Sequence, residues 1–93
     1  MEVRNDLITL ERAEERGTHV KEIKDVIETG ISVPGKYGRE VKVKTYEFKR
    51  RRFNKYFEQK KVEVFYTNRE DAIITLTVYV FYGRWEYKHA NRI

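Results

Sequence analysis

Ala72-Ile73-Ile74-Thr75-Leu76-Thr77-Val78-Tyr79-Val80-Phe81-Tyr82 is a run free of Lys, Arg, Asp, Glu, Gly and Pro in a chain that is otherwise 38% charged. Ile, Thr, Val, Tyr and Phe dominate it, the types that fit a pleated, half-buried surface. Fully extended, it would reach roughly 36 Å at about 3.3 Å per residue. Its even positions (Ile74, Leu76, Val78, Val80, Tyr82) are large and apolar, and its odd positions are mixed. This pattern predicts a central strand with one face on the core and the other partly covered. The run is too short for a membrane helix, which needs about 20 apolar residues.

Immediately upstream, Val62, Val64 and Tyr66 alternate with Lys61, Glu63 and Phe65, and Thr67-Asn68-Arg69-Glu70-Asp71 is polar. The two runs are expected to form an antiparallel hairpin. Before them, Val41 and Val43 share one phase and Tyr46 and Phe48 the other, which predicts a bulge or bend near Lys44-Thr45. Lys49-Arg50-Arg51-Arg52 breaks the alternation, and Phe53, Tyr56 and Phe57 resume it as either a wide hairpin or a short helical insert. Ser32 to Gly38 is a turn region on its Pro and Gly content. Beyond the long run, Gly83 ends or bends the strand. Trp85 and Tyr87 continue an edge segment, and the last five residues are expected to fray.

The first thirty residues follow a helical period. Asn5 and Asp6 can cap a helix from Leu7, with Leu7, Leu10 and Ala13 on its inner stripe and Gly17 ending it in a left-handed conformation. Thr18 is expected to cap a second helix whose stripe is Val20, Ile23, Val26 and Ile27, stopped by Gly30. Helices followed by strands give an α+β domain. One or two N-terminal helices pack on one face of a three- to four-stranded, mainly antiparallel sheet. One domain spans residues 1–93, helical over about 6–30 and sheet over about 39–88.

The charge is unevenly placed. Residues 1–39 carry 7 basic and 8 acidic side chains, residues 40–61 carry 9 and 3, and residues 62–93 carry 4 of each. The net +5 of the chain therefore comes from its middle quarter, and a localised patch of this kind points to a polyanionic partner. With no cysteine, disulfides and thiolate metal sites are excluded. The opening Met-Glu-Val-Arg has no apolar leader behind it, which predicts a cytoplasmic protein without a membrane partner.

The richest local signal is Lys42 to Lys61, where Lys49, Arg50, Arg51, Arg52 and Lys55 interleave with Phe48, Phe53, Tyr56 and Phe57. Cations neutralise phosphates, and aromatic rings stack on unpaired bases. Lys49, Arg50, Arg51, Arg52, Lys55 and Tyr56 are therefore the candidate nucleic-acid contacts. The competing explanation is a solvated strand edge. Phe48 and Phe53 are read as core residues. Arg12 and Arg16, four apart on one helix face, form either a phosphate clamp or surface pairs with Glu11, Glu15 or Glu22. His19 and Tyr82 are candidate proton handlers. Tyr66, Tyr79, Tyr82 and Tyr87 either line a cleft or sit half-buried on the sheet, and His89 lies in the C-terminal tail. There is no phosphate-binding Gly loop, nucleophile elbow or His/Cys metal spacing, so neither a metal nor another cofactor is expected.

Glu11-Arg12-Ala13-Glu14-Glu15-Arg16-Gly17, the helix Val20 to Gly30 and the hairpin Lys61–Tyr66 with Ile73–Tyr79 together resemble a short prokaryotic domain-of-unknown-function family (four-two-five-eight). That family opens with a pattern like His-Ala-x-x-Arg-Met-x-Glu-Arg-Gly-Ile. The resemblance spans about residues 8 to 82. The family is similar to the BrnT and RelE toxins, which share a compact helix-on-antiparallel-sheet fold. The resemblance implies an RNA-binding, metal-independent ribonuclease or a non-catalytic module that kept the fold. It also implies RNA and a cognate antitoxin protein as partners, and a homodimer through the long strand edge is a further expectation. In such chemistry a ribose 2′-hydroxyl attacks the adjacent phosphate while cations stabilise the developing charge. Arg12 and Arg16 match the family's two arginines. Ile8 stands where the family has its leading histidine and cannot move a proton, so His19 would have to act from elsewhere.

Overall fold

The computed structural model describes residues 2–35, 37 and 39–85. In chain order the elements are β1 (Glu2–Asn5), α1 (Leu7–Arg16), α2 (Val20–Thr29), β2 (Ile31–Pro34), β3 (Glu40–Arg52), β4 (Lys55–Arg69) and β5 (Ala72–Gly83). The strands form one sheet in the order β1-β5-β4-β3-β2. The α+β class and the two helices agree with the sequence reading. The sheet differs: it has five strands and is mixed, because β1 runs parallel to β5 over Glu2↔Ala72 to Asn5↔Thr75. β1 offers only Val3 as an apolar residue, too little alternation to announce a strand. β2 was expected to be a turn because it ends in Pro34-Gly35. As an edge strand paired antiparallel to β3, it tolerates proline at its end.

Burial follows the α2 stripe. Ile23, Val26 and Ile27 pack on Val62, Val64, Tyr66 and Val78, with Val3, Tyr46, Ile73 and Val80 around them. The inward phase of β5 is not the uniform even set. The register with β4 shifts between Phe65 and Tyr66, which pair with Thr77 and Thr75, so Leu76 is the extra residue of a bulge. Such an insertion exchanges the two faces. Ile73 and Thr75 point to the helices before it, and Val78, Val80 and Tyr82 do so after it. On β3 the bulge lies between Glu47 and Arg50, not at Lys44-Thr45. Residues 40 to 46 keep a single phase in which Lys44 and Tyr46, not Val41 and Val43, face α2. Both reach Asp25, the Lys44 ammonium and the Tyr46 hydroxyl donating to Oδ2 at 2.6 Å each.

The face that α1 presents to the sheet is the predicted one only at Ala13. Thr9 and Ala13 are buried, whereas Leu7 is 67% exposed and Ile8 and Leu10 also face solvent. Two hydrogen bonds to β5 fix the helix's rotation: the Asp6 amide donates to the Thr75 carbonyl at 3.3 Å, and Arg16 Nη1 donates to the Val78 carbonyl at 2.8 Å. Since β1 stops opposite Thr75, that second bond occupies part of a strand edge with no strand beside it. Gly17 closes α1 at φ 93° as expected, its amide and that of Thr18 both donating to the Ala13 carbonyl. The cap of α2 is His19, not Thr18, its Nδ1 accepting from the Glu22 amide. The turn before β5 narrows to Glu70-Asp71, since β4 runs to Arg69. No described helix is long and apolar enough to cross a membrane. Tyr87 and His89 lie outside the described residues.

Candidate nucleic-acid interface

The β3–β4 hairpin outruns the rest of the sheet. β5 ends at Gly83 opposite Gln59, and β2 reaches β3 only as far as Val43. Residues 48–58 therefore have no strand neighbours but each other. This ribbon carries Lys49, Arg50, Arg51, Arg52 and Lys55 against Glu58 alone. It turns through Phe53 and Asn54, both in the left-handed region at φ 56° and 61°, between the last ladder pair Arg52↔Lys55. A two-residue loop with positive φ at both centres suits the twist of a hairpin, so neither the wide loop nor the helical insert forms. Lys49, at φ 48°, sits in the bulge where Phe48 and Lys49 oppose Glu58.

Aromatic rings organise the cations along one face of the ribbon. The Tyr82 ring is the hub, with its centroid 5.1 Å from that of Phe48, 5.6 Å from Phe57 and 6.4 Å from Phe53. Arg50 lies over Phe48 at 4.6 Å, Lys55 over Phe57 at 5.6 Å, and Arg52 over both Phe53 at 4.6 Å and Tyr82 at 5.2 Å. Such contacts hold a charged head against a ring face. Arg51 pairs across the ladder with Tyr56. By alternation both take the opposite face, where Arg51 Nη2 donates to the Asn54 carbonyl at 2.9 Å. Of the three consecutive arginines, Arg50 and Arg52 converge and Arg51 does not.

Both the ribbon's tip, through Arg52, and the sheet at its base, through Lys60 and Tyr82, are fastened to the C-terminus of α1. A helix ends in carbonyls with no partner inside it and a partial negative charge. Here three successive carbonyls take a donor from three different strands. Arg52 Nη2 of β3 donates to Glu15 O at 3.1 Å, the Tyr82 hydroxyl of β5 to Arg16 O at 2.7 Å, and Lys60 Nζ of β4 to Gly17 O at 3.0 Å. A Cβ at Gly17 would collide with the Tyr82 hydroxyl, so glycine is required there both for its φ and for the approach of the ring. Lys60 is buried and ion-paired with Glu22 at 2.7 Å. The Arg52 Nε is buried without a partner.

The predicted catalytic residues fall as follows. Arg16 is clamped on Val78 and lies 4.8 Å from the Tyr79 ring. The Tyr82 hydroxyl donates a hydrogen bond to the Arg16 carbonyl. Burial pushes its phenol above the ordinary value, Arg52 and Arg50 pull it down, and Glu22 adds to the rise. Arg12 pairs with Glu15 at 3.4 Å on the surface. His19 is exposed, two residues past Gly17. Lys49 is an exposed partner of Glu47 at 3.9 Å, and Tyr56 is half in solvent. Arg16, Arg52 and Tyr82 thus meet at the end of α1. Arg12 stands one turn back on α1. The tyrosines do not share a cleft, because Tyr66 and Tyr82 face the helices and Tyr79 faces away.

Two features escape a reading of the sequence by motif. Lys60 is in phase with Val62 and Val64, and period-two counting alone would have turned it inward. Phe65, Tyr79 and Phe81 form a row on the sheet's other face, with Phe65 and Tyr79 centroids 5.5 Å apart and Lys61 over Phe81 at 5.8 Å. Among the described residues no three His, Asp or Glu side chains come together as metal ligands. Comparison with family models, with curated proteins and with solved structures gives no match for this chain.

Proposed function

We propose that this chain binds RNA through the ribbon 48–58, as a module of RelE/BrnT-like form that holds RNA without cutting it. The observation that carries this reading is the ribbon itself: five cations and one acid on a two-stranded projection whose rings hold Arg50, Arg52 and Lys55 in a fixed array. Against cleavage, the Tyr82 hydroxyl donates to a main-chain carbonyl, Arg16 Nη1 is held on another, and Ile8 replaces the expected histidine. Cleavage is the second reading, favoured by exposed His19 close to Gly17. An antitoxin-like protein, which the resemblance implies, would find apolar contact at Leu7, Ile8 and Leu10.

The test is a titration of a labelled single-stranded RNA at salt rising from 50 to 200 mM, in EDTA, with RNA integrity read on a gel. Binding should weaken steeply with salt. Neutralising Arg50 and Lys55 to glutamine should lower the log–log slope by about 1.4, at about 0.7 for each phosphate that no longer meets a cation. The RNA should stay whole. Affinity indifferent to salt would refute a phosphate-led contact. Cleavage that disappears in His19→Ala and Arg16→Ala would make the protein a nuclease.

A further inference from the structure

We infer that Phe53, at the tip of the ribbon, is a stacking platform for an unpaired nucleobase. The inference deepens the RNA-binding reading and rests on it. The first loop position of this turn demands a left-handed backbone, which Gly, Asn and Asp supply and a bulky ring resists. Asn54 fits its place in the loop. Phe53 at φ 56° does not, and no burial offsets the misfit, because the residue is 75% exposed. A strained residue persists where something other than stability retains it.

The ring is also held in position. The Arg52 guanidinium lies 4.6 Å from its centroid, and Tyr82 meets it nearly edge-on at 85°. Arg52 in turn is tied to Glu15 O, so the tip is coupled to the helix instead of swinging freely. Arg51 and Arg52 precede the ring and Lys55 follows it within two residues. A base laid on the ring would have its flanking phosphates within reach of cations on both sides. Every base has a π-face, so the contact would be tolerant of sequence. A base within a duplex has both faces already stacked, so the ligand class is single-stranded RNA or a loop with unpaired bases.

The experiment compares wild type with Phe53→Asn and Phe53→Trp. The probes are a twelve-nucleotide single-stranded RNA carrying 2-aminopurine and the same sequence as a duplex. Wild type should change the 2-aminopurine fluorescence on binding and prefer the single strand. Phe53→Asn should melt no lower than wild type, since asparagine suits the turn. It should nevertheless bind the single strand about tenfold or more weakly, as loss of one base–aromatic stack does, with the salt slope unchanged. Phe53→Trp should retain the affinity. Equal single-strand binding by Phe53→Asn and wild type, with a steep salt dependence in both, would overturn the stacking role and leave phosphate contact standing. An absence of salt-dependent binding by wild type would instead overturn the RNA-binding reading and this inference with it.

Discussion

Tyr82 shows how much one side chain can join: its ring gathers Phe48, Phe53 and Phe57, and its hydroxyl closes the last turn of α1. The two roles separate by substitution. Tyr82→Phe should cost about 1 kcal/mol, the net worth of one hydrogen bond, and leave RNA affinity near wild type. Tyr82→Ala should cost about 3 kcal/mol, within the range for removing a large packed aromatic, and should weaken RNA binding as the ribbon loses its hub. Urea melts of both variants check this. A Tyr82→Phe change as damaging as Tyr82→Ala would mean that the hydroxyl, and not the ring, fastens the ribbon. The sequence marked Tyr82 as polar and aromatic on a strand, hence a proton-transfer candidate. It held no sign that an α1 carbonyl 66 positions away would claim the hydroxyl. Gly17 was legible because its task, a left-handed stop after a helical run, is local.

Among the elements, those with strong, long periodicity were readable and those fixed by tertiary hydrogen bonds were not. The stripe of α2, save for exposed Val20, and the alternation of β4 gave the core. The rotation of α1 was readable only at Ala13, because Asp6 and Arg16 set it through bonds to β5 while Leu7 and Leu10 stayed in water. The Leu76 bulge could not be counted from hydrophobicity, since Ile73, Ile74, Thr75 and Leu76 all suit either face. β1 was invisible because four residues carry no period. Beside the apolar packing of α2 on β4 lies one ion pair, Lys60 with Glu22, whose side chains are only 8% and 12% exposed. Lys60→Met alone should destabilise by about 3 kcal/mol, because it leaves a carboxylate buried without its cation. Adding Glu22→Leu should recover most of that loss. A double-mutant cycle in chemical denaturation measures the coupling, and purely additive losses would contradict a paired buried charge.

For the molecule as a whole, the polar links between helices and sheet impose a pH dependence. Burial raises the phenols of Tyr46, Tyr66 and Tyr82. The hydrogen bond to Asp25 adds to it at Tyr46 and the nearby Glu40 adds to it at Tyr66. A group whose folded pKa lies above its unfolded value of about 10 contributes stability that is whole below that value and is lost as pH rises beyond it. Asp25 is held below the usual carboxylate range, first by its hydrogen bond from Lys44 and then by that from Tyr46. Its contribution is therefore lost only in acid, as pH falls through the folded value. The urea midpoint should stay level from about pH 6 to 9 and fall above about 10, less steeply in Tyr46→Phe; a midpoint unchanged between pH 9 and 11 would contradict these assignments. The bonds of Tyr82, Arg52 and Lys60 to successive carbonyls seat the ribbon on the end of α1, which makes ribbon and helix terminus one surface. Backbone amide NMR shifts, followed while a single-stranded RNA is titrated in, test that surface. The largest changes should cluster in residues 48–58 and at Glu15, Arg16 and Gly17. Changes centred instead on Phe65, Tyr79 and Phe81, or none at all, would show that the ribbon is not where RNA is held.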